Sequence, residues 1–145
     1  MTTPAPPTDR PSAAPTPRPP QTFLAFDYGR KRTGVASGNA MLRMATPLTT
    51  VAAEGDARFE RIGKLIKEWR PDALVIGVPF HPDGAEHDNT RRARRFARQL
   101  HGRFALPVHE VDERYTTVEA IASGAADVDA ASAALILDQF FREHP

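Results

Sequence analysis

From residue 22 onward the spacing of apolar and polar residues changes period, and the changes mark out the elements. Phe23-Leu24-Ala25-Phe26 leads into Asp27-Tyr28-Gly29, and Thr33-Gly34-Val35-Ala36 follows the basic turn Arg30-Lys31-Arg32. Gly38-Asn39 is a turn signal, and 42–51 reads as a third extended segment interrupted by Pro47. Three short strands joined by tight turns predict an antiparallel meander. The period then becomes helical. Over 56–69, Phe59, Ile62, Leu65, Ile66 and Trp69 share one face, with Arg61, Lys64, Lys67 and Glu68 between them, and Pro71 ends the helix. The unbroken apolar run 73–78 predicts a strand buried on both faces. Ala93, Phe96, Ala97 and Leu100 predict a second helix over 90–102, with Gly102 as its stop. A strand follows at 108–113. Thr116-Thr117-Val118-Glu119 has the capping-box form and predicts a short helix. Ala133, Ile136, Leu137, Phe140 and Phe141 predict a last helix starting near Asp127 or Asp129. The order predicts an α/β domain: a five-stranded mixed sheet, antiparallel on one side and parallel on the other, flanked by helices.

Composition divides the chain in two. Residues 1–21 hold eight of its 14 prolines and no large apolar side chain beyond Met1, so they read as a disordered, Pro-rich N-terminal arm. Residues 22–145 are long enough to bury one core and form one domain. The absence of cysteine excludes disulfides, cysteine-zinc sites and thiol catalysis, and fits a reducing cytoplasm. The longest apolar run, 73–80, is too short to cross a bilayer, and the first residues lack the apolar stretch of a secretory signal. The formal charge of +1 hides an uneven distribution.

Acidic residues fall where strands and helices end. Asp27 closes an apolar strand, Asp112 and Glu113 close another, and Asp129 opens the last helix. A carboxylate in such a place is costly unless it is paired, hydrogen-bonded or bound to a cation. Ligands of open α/β sheets gather beyond the carboxyl ends of the strands. Asp27, Glu113 and Asp129 are therefore candidate ligands of Mg2+ or Mn2+, which favour all-oxygen sites and assist phosphodiester hydrolysis. The structural alternative has Asp27 and Asp129 capping turns and helices while Glu113 pairs with Arg114. Arginines crowd two segments. The turn Arg30-Lys31-Arg32 suits a phosphate beside a carboxylate-bound metal, and it also resembles the phosphate loop of the actin and sugar-kinase superfamily. Arg91, Arg92, Arg94, Arg95 and Arg98 share the polar faces of the second helix, where a phosphate backbone would relieve their repulsion. The stiff loop at 77–84 brings His81 and Asp83 within range of a site as further candidates. No Ser-His-Asp elbow, Walker loop or GxGxxG is present.

Four blocks of the chain resemble the YqgF family, the Holliday-junction-resolvase-like proteins also known as candidate pre-16S rRNA nucleases. They are Phe26-Asp-Tyr-Gly-Arg-Lys-Arg-Thr-Gly-Val-Ala36, Val75-Ile-Gly-Val-Pro79 with Asp83-Gly84, Asp112-Glu-Arg-Tyr-Thr-Thr117 with Ala120, and Asp129 followed by Ala133 and Leu135-Ile-Leu137. The resemblance implies an RNase H-like fold and metal-dependent cleavage of RNA or DNA, either in maturing the 5′ end of 16S rRNA or in processing branched nucleic acid. It implies catalytic and metal-binding roles for Asp27, Glu113 and Asp129, with Arg114 and Thr116 positioning phosphate or bracing their loop. A pre-ribosomal particle would then be a partner, and both a monomer and a homodimer stay open. Ser37-Gly38-Asn39, the loop Gly77-Val-Pro-Phe-His-Pro82 and Ser132 depart from the family pattern without touching the three acids. The competing reading is a non-catalytic nucleic-acid-binding assembly factor on the same fold.

Overall fold

The computed structural model describes residues 20–113 and 127–144. Its elements run β1 (Thr22–Tyr28), β2 (Thr33–Asn39), β3 (Met44–Val51), α1 (Gly55–Trp69), β4 (Ala73–Val78), α2 (Asp88–Phe104), β5 (Val108–Asp112) and α3 (Val128–Glu143). Most of the N-terminal arm, the helix expected from Thr116, and Arg114 and Thr116 themselves lie outside the described residues.

The strands form one mixed sheet in the order β3-β2-β1-β4-β5. β1, β2 and β3 make the expected antiparallel meander, and β4 and β5 add in parallel on the other side of β1. Pro47 sits in β3, the edge strand, where a missing N–H costs no interior ladder bond. A register shift lies opposite it at Val35 and Ala36.

Strand alternation splits the core into two layers. Leu24, Phe26, Val35, Leu74 and Ile76 face α1 and α2, packing against Phe59, Ile62, Phe96 and Leu100. Phe23, Ala25, Ala73, Val75 and Val111 face α3, packing against Ile136, Leu137, Phe140 and Phe141. Ala36 of β2 meets Ala133 and Ala134 of α3, a pairing of small residues that brings helix and sheet close.

The helix ends follow local chemistry, and one differs from the expectation. α1 stops at Arg70, whose backbone is left-handed (φ 47°) and donates to the Ile66 carbonyl just before Pro71. α2 was expected over 90–102 but spans Asp88–Phe104. It starts earlier because His87 caps it: its Nδ1 accepts from the Asn89 amide at 3.1 Å, and its own amide donates to the Thr90 hydroxyl. It runs past Gly102 because Phe104 packs against the α1 and α2 core layer, and Ala105 then takes the left-handed position (φ 55°). Burial of one aromatic side chain outweighs the glycine stop signal. α3 is capped by Asp127, whose Oδ1 accepts from the Ala130 amide at 3.0 Å and from the Thr50 hydroxyl at 2.8 Å. That second bond ties the start of α3 to β3.

The tightest contact between α3 and the sheet is at Gly34 of β2. A Cβ there would lie 1.8 Å from the Asp129 carbonyl oxygen, so α3 can seat only over a glycine. Gly34→Ala is expected to destabilise the fold by about 1–3 kcal/mol or more, the range for forced overpacking. A fall of several degrees in the thermal midpoint followed by circular dichroism checks this; an unchanged midpoint contradicts the seating described.

Candidate active site

The carboxyl end of β1 is where the sheet exposes chemistry. Alternation sends Phe23, Ala25 and Asp27 to the α3 side, and the next residue, Tyr28, to the α1 and α2 side. Asp27 has a glycine on each neighbouring strand. It pairs with Gly34 on β2 and with Gly77 on β4. Gly34 lets the backbone at Asp129 come down onto the sheet. Gly77 leaves open the volume that Glu113 and Ile136 enter: a Cβ there would lie 2.9 Å from Glu113 Oε2 and 2.3 Å from Ile136 Cδ1. Glu113 follows β5 directly and its amide donates to the Val78 carbonyl at 3.2 Å. It has the parity of Val111, so it faces α3, whereas Asp112 has the opposite parity.

Asp27, Glu113 and Asp129 therefore lie on one side of one sheet end, close enough for the Asp27 carboxyl to respond to both neighbours. Burial pushes the Asp27 carboxyl up to about 6, a hydrogen bond with the Glu113 side chain works against that rise, and the Asp129 charge adds to it. Glu113 is buried. Asp129 Oδ2 is 3.0 Å from Arg32 Nε, an ion pair between the basic turn and the first turn of α3. Among the described residues no three acids or histidines are already drawn together as a cation cage. The carboxylates are held by the Asp27–Glu113 hydrogen bond and by Arg32 instead. The donor set is still all oxygen and anionic, with one acid pushed toward protonation by burial and by its neighbour's charge. It fits a hard divalent cation.

The basic candidates separate. Arg32 reaches the acids; Arg30 and Lys31 are exposed on the same turn. The turn is braced from beneath by Arg58, a buried residue whose guanidinium donates to the Arg30 carbonyl and, through Nε at 2.9 Å, to the Ala53 carbonyl. Arg58 did not feature among the sequence candidates. The signal was present, because Arg58 lies four residues before Ile62 and so on the apolar stripe of α1. The arginines of α2 do not join the acids: α2 packs on the opposite face of the sheet from α3. Arg91 pairs with Asp88, and Arg94 with Glu86 at 2.6 Å and Glu110 at 3.3 Å. Arg95 and Arg98 are exposed. His81 and Asp83 are occupied within their own loop. The His81 amide donates to the Ala85 carbonyl, its ring packs on His87, and Asp83 Oδ1 accepts from the Ala85 amide.

Comparison with known proteins agrees with this architecture. The family described as RuvX: Holliday junction resolvase matches residues 21–143. A relative from Polaromonas sp. is 66% identical over 125 residues, covering 86% of this chain and 91% of its own, and one from Albidiferax ferrireducens is 69% identical over 122 residues, covering 84% and 78%. Both are named as candidate pre-16S rRNA nucleases. The structure of T. thermophilus RuvC in complex with Holliday junction substrate superposes with a TM-score of 0.55 at 15% identity, over 84% of this chain and 94% of that one. That likeness supports the RNase H-like fold. With the matching family spanning nearly all of the chain beyond its arm, the protein belongs to the RuvX family of Holliday junction resolvases.

Proposed function

We propose that the protein is a divalent-metal-dependent nuclease that hydrolyses phosphodiester bonds at the Asp27, Glu113 and Asp129 site. The observation that carries this reading is the placement of three carboxylates on one side of one sheet end, with burial and the Asp129 charge raising Asp27 to about 6. Such an arrangement is costly to hold without a counter-charge, and acids with strongly shifted titration gather where chemistry is done. Asp27, Glu113 and Asp129 would hold Mg2+ or Mn2+, which supplies Lewis-acid polarisation of the phosphodiester and an activated water.

The chain's own groups have separable tasks in this reading. Asp27 is fixed by its strand and by the flanking glycines. Glu113 shares a hydrogen bond with it, and Asp27, raised to about 6, must be ionised to act as an anionic ligand. Arg32 pairs with Asp129 and is placed to turn its guanidinium to a substrate phosphate. Arg30 and Lys31 add positive charge at the mouth. Arg114, next to Glu113, and Thr116, three residues after it, are assigned to phosphate positioning or to bracing their loop on the family resemblance alone. Arg91, Arg94, Arg95 and Arg98 are assigned to the outlying backbone, not to the scissile phosphate, because their helix covers the other face.

The names of the close relatives support precursor 16S rRNA as the substrate and a pre-ribosomal particle as its carrier; the family description supports branched DNA as the alternative. Among the described residues no helix is long and apolar enough to cross a membrane. A task on precursor rRNA supports a cytoplasmic location.

With Mn2+ and a panel of pre-16S rRNA, single-stranded RNA, single-stranded DNA and a four-way junction, the parent protein is expected to cleave at least one substrate. Asp27→Asn should reduce that rate by a factor on the order of 100 or more, since even supporting residues of metal sites cost about 10–100-fold. Equal rates in parent and variant contradict the assignment. The same substitution should stabilise the metal-free fold. A carboxyl raised from 3.8 to about 6 on folding costs nothing below pH 3.8, and its penalty grows through that interval and is complete above about 6. Asp27→Asn should therefore raise the thermal midpoint at pH 7.5 in EDTA by a few degrees, corresponding to about 1–3 kcal/mol, with the gain fading as pH falls toward 4. A lower midpoint at pH 7.5 would contradict a strained carboxylate.

A further inference from the structure

On the face of the sheet away from the acids, three arginines surround a cleft between the start of α1 and the outer side of α2. Tyr28, Arg58, Arg92, Arg95, Phe96 and Gln99 line it. Arg58 forms its floor. Only 4% exposed, it spends its described hydrogen bonds on the carbonyls of Ala53 and Arg30, and its guanidinium lies over the rings of Tyr28 at 4.8 Å and Phe96 at 5.9 Å.

The charges of α2 are sorted by position. Arg91 and Arg94 are neutralised by Asp88, Glu86 and Glu110. Among the described residues no carboxylate forms an ion pair with Arg58, Arg92 or Arg95. Arg92 has a 3.5 Å contact with the Asn89 side chain and no closer partner among them. One buried and two surface guanidiniums thus line a common space, and none of them is in an ion pair with a described carboxylate. Burying a guanidinium without a counter-charge is costly, and the two neighbours add repulsion. The cleft also meets Gly55 at the N-terminus of α1, where the Glu54 side chain makes no capping bond. Guanidinium forks match the oxygens of a phosphate, and free helix amides add donors of the same kind.

We propose that this cleft binds a phosphate group, separately from the carboxylate site. Tyr28 and Asp27 are adjacent on β1 and face opposite sides, so the cleft and the acids share one strand end, with the Arg30-Lys31-Arg32 turn between them. A nucleic-acid strand passing over that turn would place one phosphate at the acids and another in the cleft. Assigning the phosphate to the substrate strand rests on the nuclease reading; phosphate binding itself does not. A free phosphorylated ligand has the same chemistry.

The test uses the full chain in EDTA, so that no cleavage enters the result. Pyrophosphate, and separately an unphosphorylated single-stranded oligonucleotide, are titrated while the amide of Gly55 and the Nε–H of Arg58 are followed by heteronuclear NMR. Pyrophosphate is expected to shift both signals, and Arg92→Gln with Arg95→Gln, both at exposed positions, should weaken that binding roughly tenfold, in the range for charge-assisted bonds to phosphate. If the oligonucleotide displaces pyrophosphate, the phosphate belongs to nucleic acid, and the double variant should lower the salt slope of oligonucleotide binding by about 2. If the oligonucleotide leaves the cleft signals unmoved, the ligand is a free phosphorylated molecule, and the site stands. Unshifted Gly55 and Arg58 signals with both probes, or equal pyrophosphate affinity in parent and folded double variant, overturn the proposal. Asp27→Asn separates the two claims: loss of cleavage with the cleft shifts retained supports both, and cleavage unaffected by Asp27→Asn removes the nuclease site while leaving the cleft.

Discussion

A carboxylate placed at the end of a buried central strand is the constraint around which the rest of this molecule is arranged. Asp27 is the next-to-last residue of the strand that pairs with both halves of the sheet, antiparallel to β2 and parallel to β4. Its cross-strand neighbours are glycines on both sides, and each absent side chain admits one further acid. The Gly34 side lets the first turn of α3 reach the sheet with Asp129, and the Gly77 side gives Glu113 its space. Burial raises Asp27 and the Asp129 charge raises it further, so the fold holds a local electrostatic cost that a cation would offset. The capping of α3 by Asp127, and the bond from Thr50 to that cap, fix the height at which Asp129 arrives.

The sheet also acts as a divider between two kinds of charge. On the α3 side lie the three acids, and Arg32 pairs with one of them, Asp129. On the α1 and α2 side the arginines predominate. One of them, Arg58, is buried under the basic turn and packs against Tyr28 and Phe96. The turn between β1 and β2 is the bridge, because its backbone is braced by Arg58 from one face while its Arg32 side chain pairs with Asp129 on the other. Negative and positive ends thus sit on either side of one strand end, an arrangement suited to gripping a polyanion while working on one of its linkages.

Much of this was legible in the sequence. The period-two pattern of β1 and the continuous apolar run of β4 lead to the observed elements because strand burial follows side-chain alternation directly. The three acids were legible as strand-end and helix-start residues. Their meeting depends on Gly34 and Gly77, whose meaning appears only when the strand register is known. The end of α2 was misplaced at Gly102 because a local stop signal yields to the burial of Phe104. The α2 arginines are legible as a charged helix face suited to phosphate, but which face of the sheet that helix covers depends on packing that the local pattern does not encode. Arg58 escaped notice because an arginine in an amphipathic helix ordinarily reaches solvent; here two carbonyls and two aromatic rings receive it.

If Asp27, Glu113 and Asp129 hold a divalent cation as proposed, its binding near pH 6 displaces a proton from the site. Calorimetric titration of the parent protein with Mn2+ near pH 6, repeated in two buffers of different ionisation enthalpy, measures this directly. Mn2+ is expected to bind with release of a fraction of a proton, growing as pH is lowered toward 5, and both are expected to be lost in Asp27→Asn. Mn2+ binding of undiminished affinity in Asp27→Asn, or binding in the parent with no proton released at any pH between 5 and 7, would contradict this expectation.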